Sequence, residues 1–179
     1  MRRAPNACPL IAAVLAATAL ATGQASAQSA VGPGSSGSGS GSAQIAVGPG
    51  TSLGLCSVTA TGYAEGQPVA LTAGHCTLGL FGEIRLPNLD WAMIPLLPGT
   101  PTHNTLPSGE QLTAAGAPGG ELCRWGQRSG TRCDGYTGIR VGDSGGPVYR
   151  PNGDGTATLV GVTSSNVRFS GLPPGFSLS

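Results

Sequence analysis

The stretch VGDSGGPVYR, Val141–Arg150, packs three glycines and a proline around a single serine, with a carboxylate directly before it. That is poor material for an ordinary core. Glycine allows a backbone to turn sharply and lets other groups approach without a Cβ clash. The stretch therefore reads as a tight turn built to present the Ser144 hydroxyl. A serine hydroxyl is a weak nucleophile until a neighbouring base takes its proton, so the reading depends on a base elsewhere in the chain.

Two histidines are available. His103, in PGTPTHNTLP, is surrounded by turn formers and reads as a solvated loop residue. His75, in LTAGHC, follows a β-rich run and is the candidate base. A neutral imidazole needs an acceptor to fix its tautomer, and a carboxylate does this while stabilising the imidazolium formed in the reaction. Asp90, in NLDWAMIPL, stands at the entrance to an apolar strand and is the candidate carboxylate; alone, it reads equally well as a strand-leading turn residue.

The chain has 179 residues. Arg2 and Arg3 precede an apolar run from Pro9 to about Ala21, and ASA ends at Ala27. This order predicts a secretory signal peptide over residues 1–27, cleaved after Ala27. The apolar run falls short of the roughly 18–20 residues that a membrane span needs. Residues 28–43 are Gly/Ser-rich and predict a flexible linker, and residues 44–179 form one domain. After the predicted cleavage seven arginines, no lysine and eight acids remain, one net negative charge. That balance argues against nucleic acid as a partner. The reading is of an exported monomer with no stable membrane association.

Four cysteines survive the predicted cleavage: Cys56, Cys76, Cys123 and Cys133. An even count in an exported chain implies two disulfides, for which three pairings exist; nearest neighbours are the simplest. Zinc is the rival for four cysteines, but the chain has no CxxC pair, so metal is not expected. Many short apolar, β-branched runs separated by Gly/Pro turns predict an all-β barrel or sandwich. Expected strands include LGLCSVTATGY, QPVALTAGHC, FGEIRL, WAMIPL, QLTAAG, ELCRWG, GPVYR and TATLVGVTSS. Sustained helical periodicity is absent after the signal, which also disfavours an esterase whose nucleophile sits on a strand-to-helix elbow.

LTAGHC, DWAMI and GDSGGP, in that order, resemble the trypsin/chymotrypsin-like serine peptidases over about Leu53–Asn166, in particular the small secreted bacterial (α-lytic and streptogrisin-like) branch. The resemblance implies a two-barrel all-β fold and hydrolysis of a protein or peptide substrate without a metal or organic cofactor. It implies His75 as general base and acid, Asp90 as its orienting carboxylate and Ser144 as nucleophile. The backbone N–H groups of Gly142 and Ser144 would form the oxyanion hole. It further implies that Arg124, directly after Cys123, pairs with Asp143, a guanidinium fork being able to hold a carboxylate with two hydrogen bonds. Cys56–Cys76 and Cys123–Cys133 match its disulfides. Ser164, in VGVTSS, matches the serine that supports the aspartate, on a strand whose edge would pair with extended substrate.

The chain is short for that family. Fourteen residues lie between His75 and Asp90, and ten between Cys133 and Ser144. The ending NVRFSGLPPGFSLS is too rich in Pro, Gly and Ser to supply both a closing strand and a C-terminal helix. Shortened barrels are expected, and with them an alternative function: a non-catalytic or truncated secreted binding protein. Arg140 reads as a solvent-facing charge.

Overall fold

The structure is a computed structural model that describes residues 45–80, 84–86, 89–134, 138–164 and 168–179. The predicted signal peptide and linker lie outside the described residues. Eleven short strands and one 3-10 turn make up the regular structure, with no α-helix among the described residues. None of their elements is a helix long and apolar enough to cross a membrane.

The first sheet contains β1 (Ala60–Ala64), β2 (Gln67–Thr72), β3 (Ile84–Leu86), β4 (Leu89–Pro95) and, from the far end of the chain, β11 (Phe176–Leu178). Its strands are ordered β11-β1-β2-β4-β3, and every pairing is antiparallel. The second sheet contains β5 (Gln111–Ala115), β6 (Cys123–Gly126), β7 (Gly130–Arg132), β8 (Pro147–Pro151), β9 (Thr156–Ser164) and β10 (Arg168–Gly171). It is ordered β10-β9-β8-β6-β7. The nine-residue β9 is its spine: β8 lies on one flank, and β5 (parallel) and β10 (antiparallel) divide the other.

In β4 burial alternates, with Asp90 and Ala92 buried between partly exposed neighbours. In β9, however, Ala157 to Ser164 are buried without interruption, as expected for a strand covered on both faces. Leu112, Cys123, Tyr149, Ala157 and Leu159 build one core cluster, while Leu71, Ala73 and Val162 build a second. Each large apolar side chain taken out of water there contributes about 1.5–3 kcal/mol.

Two expected strands are shorter than their sequence runs. LGLCSVTATGY is strand only from Ala60, because Gly54 takes a left-handed φ of +81° and the Ser57 N–H is taken by the Ser144 carbonyl rather than by a ladder. QPVALTAGHC leaves strand geometry after Thr72, and Gly74–Cys76 form the 3-10 turn that carries His75. The C-terminal run supplies two strands, β10 and β11, and no helix among its described residues. Asn104 fixes the chain end: its Oδ1 accepts from Thr61 N–H (2.9 Å), and its Nδ2 donates to the Thr61 carbonyl (2.9 Å) and to Ser179 Oγ (3.0 Å). That clamp holds β11 on the edge of β1, which would otherwise present unpaired backbone groups.

Candidate active site

His75 is set by local geometry on both sides. Ala73 is extended (φ −71°, ψ 143°), the chain then tightens into the 3-10 turn, and the next residue is tied down by the Cys56–Cys76 disulfide. Asp90 comes from β4 and is 2% exposed. The two meet directly: His75 Nδ1 lies 2.6 Å from Asp90 Oδ2, and the His75 backbone N–H donates to Asp90 Oδ1 at 2.9 Å. An ionised carboxylate only accepts, so His75 Nδ1 is the donor, and in the neutral tautomer that this selects Nε2 is the acceptor.

Asp90 is held from the second sheet as well. Ser164 Oγ, at the end of β9, donates a short hydrogen bond to Asp90 Oδ2. Ser170 Oγ, on β10, accepts from the Asp90 backbone N–H at 3.1 Å. Burial alone would raise the Asp90 pKa, but hydrogen bonds from His75 and Ser164 outweigh it and hold the carboxyl below the ordinary aspartate value.

The turn that carries Ser144 is stitched to the segment leading into β1 and to β9. The Ser144 carbonyl accepts from Ser57 N–H at 2.8 Å, and the Gly145 carbonyl accepts from Thr59 Oγ1 at 2.6 Å. On the other side Gly145 N–H donates to the Thr163 carbonyl, and Thr163 N–H donates to the Gly146 carbonyl, both at 2.8 Å. Gly145 must be glycine on two counts: its φ is +80°, and an added Cβ would lie 2.1 Å from the Ser57 carbonyl oxygen. Gly142 takes a φ of +104°, and its N–H has no hydrogen-bond partner among the described residues. Ser144, Gly142 and His75 all line one open cleft of about 440 Å³. Such an arrangement offers a proton acceptor, a hydroxyl and an unspent backbone donor to a bound carbonyl.

Asp143 does not line this cleft. It is fully buried, with Arg124 NH1 3.6 Å from its Oδ2 and Arg124 only 1% exposed. The two form the expected ion pair, at a distance longer than a hydrogen bond. Backbone donors take up most of the carboxylate instead: Arg128 N–H (2.9 Å) and Ser129 N–H (3.0 Å) on Oδ1, and Arg140 N–H (2.9 Å) on Oδ2. Arg124 NH1 also donates to Ser129 Oγ at 2.8 Å, bracing the loop that supplies two of those donors. Burial would raise the Asp143 pKa, yet these hydrogen bonds, led by Arg140 N–H, hold it below the ordinary value.

The four expected cysteines pair as Cys56–Cys76 and Cys123–Cys133. Cys56, His75 and Cys76 place donor atoms within 4.8 Å of one another, but both sulfurs are spent in the disulfide and present no thiolate to a metal. His103 is exposed, its ring lies over Gly48, and it does not line the cleft. Arg140 is exposed. The edge of the VGVTSS strand expected to pair with extended substrate is not free among the described residues: β9 carries β8 on one flank and β5 and β10 on the other, with Ser164 itself in register with Arg168. Ser170, Thr59 and Thr72 were not expected at the site. Thr72 Oγ1 donates to the Ser57 carbonyl at 2.8 Å, locking the segment on which the Ser144 turn rests.

Neither a protein-family model nor a curated protein matches the chain. Among solved structures it is similar to Nocardiopsis protease (NAPase), with 24% identity over 67% of this chain and 83% of that one and a TM-score of 0.50. It is also similar to Thermobifida fusca protease A (TFPA), with 21% identity over 68% and 84% of the two chains and a TM-score of 0.49. A third likeness is to a glutamic acid specific serine protease, with 16% identity over 68% and 81% and a TM-score of 0.46. The Nocardiopsis likeness establishes the fold: an all-β, two-barrel chymotrypsin-like architecture, here in a shortened chain.

Proposed function

We propose that this chain, which shares its fold with a bacterial serine protease, is a secreted serine endopeptidase acting on protein or peptide substrates. The observation that carries this reading is the 2.6 Å contact between His75 Nδ1 and buried Asp90, with His75 and Ser144 on the wall of the same cleft. In the first step His75 Nε2 takes the Ser144 proton as Oγ attacks the substrate carbonyl. The N–H groups of Gly142 and Ser144 stabilise the oxyanion of the tetrahedral intermediate. His75 then returns the proton to the departing amine, leaving an ester on Ser144. Water, activated by the same imidazole, hydrolyses that ester.

Asp90 remains ionised throughout, steadying the imidazolium, with Ser164 and Ser170 as positioning residues. Arg124 and Asp143 set the turn from beneath. All the chemistry is supplied by side chains and backbone, and the reading invokes no metal or organic cofactor. Two disulfides suit an oxidising compartment outside the cell, and the enzyme is proposed to act as a monomer.

A serine-directed fluorophosphonate probe on the purified protein tests the reading. Labelling of wild type that is lost in both Ser144→Ala and His75→Ala supports it. Absence of labelling in well-folded wild-type protein overturns it and favours a binding protein.

A further inference from the structure

Four side chains on the walls of the Ser144 cleft are apolar and exposed: Leu53 (37%), Leu55 (65%), Leu78 (83%) and Val141 (75%). They are half of the eight large apolar side chains left exposed among the described residues. Scattered exposed leucines need no explanation, whereas their collection around one concave site marks a place where apolar surface is recognised.

Leu78 adds an independent observation. Its φ is +52°, the left-handed region that disfavours a bulky side chain. The leucine so held gains no burial in return. Strain of this kind, retained without a packing benefit, points to a role in binding rather than in stability.

The chemistry of acyl transfer says which part of a substrate meets this surface. The acyl portion stays esterified to Ser144, while the departing amine receives its proton from His75. The departing chain therefore lies on the histidine's side. That is the side on which the cleft is walled: the Cys56–Cys76 disulfide adjoins His75, Leu78 follows two residues later, and no residue of β9 contributes to the lining. Among the described residues no permanently charged side chain lines it, although Arg128 packs against Gly142 at its margin, so an acidic or basic group seated among the leucines would lose water without gaining a partner.

The geometry points to a subsite, built by Leu53, Leu55, Leu78 and Val141, that selects a bulky apolar side chain on the residue immediately after the scissile bond. The inference rests on the peptidase reading and adds the substrate class that its leaving-group side accepts.

Acyl transfer to added amines tests it. The full chain is acylated with a simple ester substrate and offered leucinamide, glycinamide or the α-amide of aspartate. The amine attacks the acyl carbonyl, a C–N bond forms as the bond to Ser144 Oγ breaks, and the amine proton passes through His75 to Oγ. Leucinamide is expected to capture the acyl group roughly tenfold better than glycinamide, with the aspartate amide poorest. The double variant Leu55→Ser/Leu78→Ser is expected to bring the leucine-to-glycine ratio below about three. Leu97→Ser, at an exposed leucine outside the cleft, is expected to leave the ratio unchanged. Equal capture of all three amides by wild type overturns the subsite while leaving the peptidase reading intact, and so does an unchanged ratio in a folded double variant. Failure to turn over any ester overturns both. Should the double variant not fold, the wild-type ratio decides.

Discussion

Asp90 touches His75 at two points, through Oδ2 on the ring Nδ1 at 2.6 Å and through Oδ1 on the backbone N–H at 2.9 Å. One carboxylate thus fixes both the tautomer of the imidazole and the place of its backbone. In Asp90→Asn the amide presents a donor where the imidazole needs an acceptor, so the proton shifts to the wrong ring nitrogen. The expected loss in kcat is about 10⁴-fold, with KM little changed and the fold retained. Steady-state hydrolysis of a chromogenic peptide measures it; activity within threefold of wild type would remove Asp90 from the mechanism.

Stability should fall in acid for a reason that can be assigned. Asp90 and Asp143 are both held below the ordinary aspartate pKa of about 3.9 by hydrogen bonds that outweigh burial. A carboxyl with a depressed folded-state pKa binds a proton more readily in the unfolded chain. Its stabilisation is complete above the unfolded value and is lost as pH falls toward the folded one. The urea midpoint is expected to be level above about pH 5 and to decline below about pH 4. Asp143→Asn, less stable at neutral pH, is expected to decline less steeply. An identical acid slope in this variant would refute the assignment.

Much of this site was legible because its chemistry sits in short, dense words. GDSGGP, TAGHC and LDWAMI each place a candidate site side chain within a few residues of the small or apolar residues around it. That there are two disulfides was legible from the cysteine count, while their pairing rested on the resemblance and on nearest neighbours being the simplest of three choices. Ser170 was not: its partner, the Asp90 N–H, is 80 residues away in sequence, and a buried serine in VRFSG has no periodicity to betray it. The same holds for Asn104, whose side chain reads as a loop polar group until Thr61 and Ser179 meet it. The run LGLCSV has strand composition yet forms no strand, because the Ser57 donor is used by the Ser144 carbonyl. Tertiary demand overrode local propensity there.

Arg124 and Asp143 form a buried pair, 1% and 0% exposed, at 3.6 Å. Removing one partner of such a pair typically costs about 3–5 kcal/mol, because the other charge is left without compensation. Three backbone N–H groups already hold the Asp143 carboxylate, which places Arg124→Ala at the lower end of that range. The loop carrying Arg128 and Ser129 loses its brace at the same time, so kcat is expected to fall along with stability. Urea unfolding of Arg124→Ala, Asp143→Asn and the double variant measures the coupling. Strictly additive losses would show that the two residues act independently.

Gly145 and Gly153 have nearly the same backbone conformation, with φ of +80° and +84°, but opposite surroundings. A Cβ at Gly153 meets nothing within 4 Å, whereas at Gly145 it would lie 2.1 Å from the Ser57 carbonyl and 2.5 Å from Thr72 Oγ1. Gly153→Ala therefore carries only the left-handed penalty, about 1–2 kcal/mol. Gly145→Ala carries that penalty and must also push the nucleophile turn off β1's leading segment, breaking the Ser57 N–H to Ser144 carbonyl bond. Its expected cost is about 4–5 kcal/mol, in the range reserved for named structural damage and a large share of a domain's stability of about 5–15 kcal/mol. Because the displaced turn also carries Ser144, fluorophosphonate labelling of any folded Gly145→Ala should slow, while Gly153→Ala labels at the wild-type rate. Equal destabilisation by the two substitutions would show that conformation alone, and not close approach, dictates glycine at position 145.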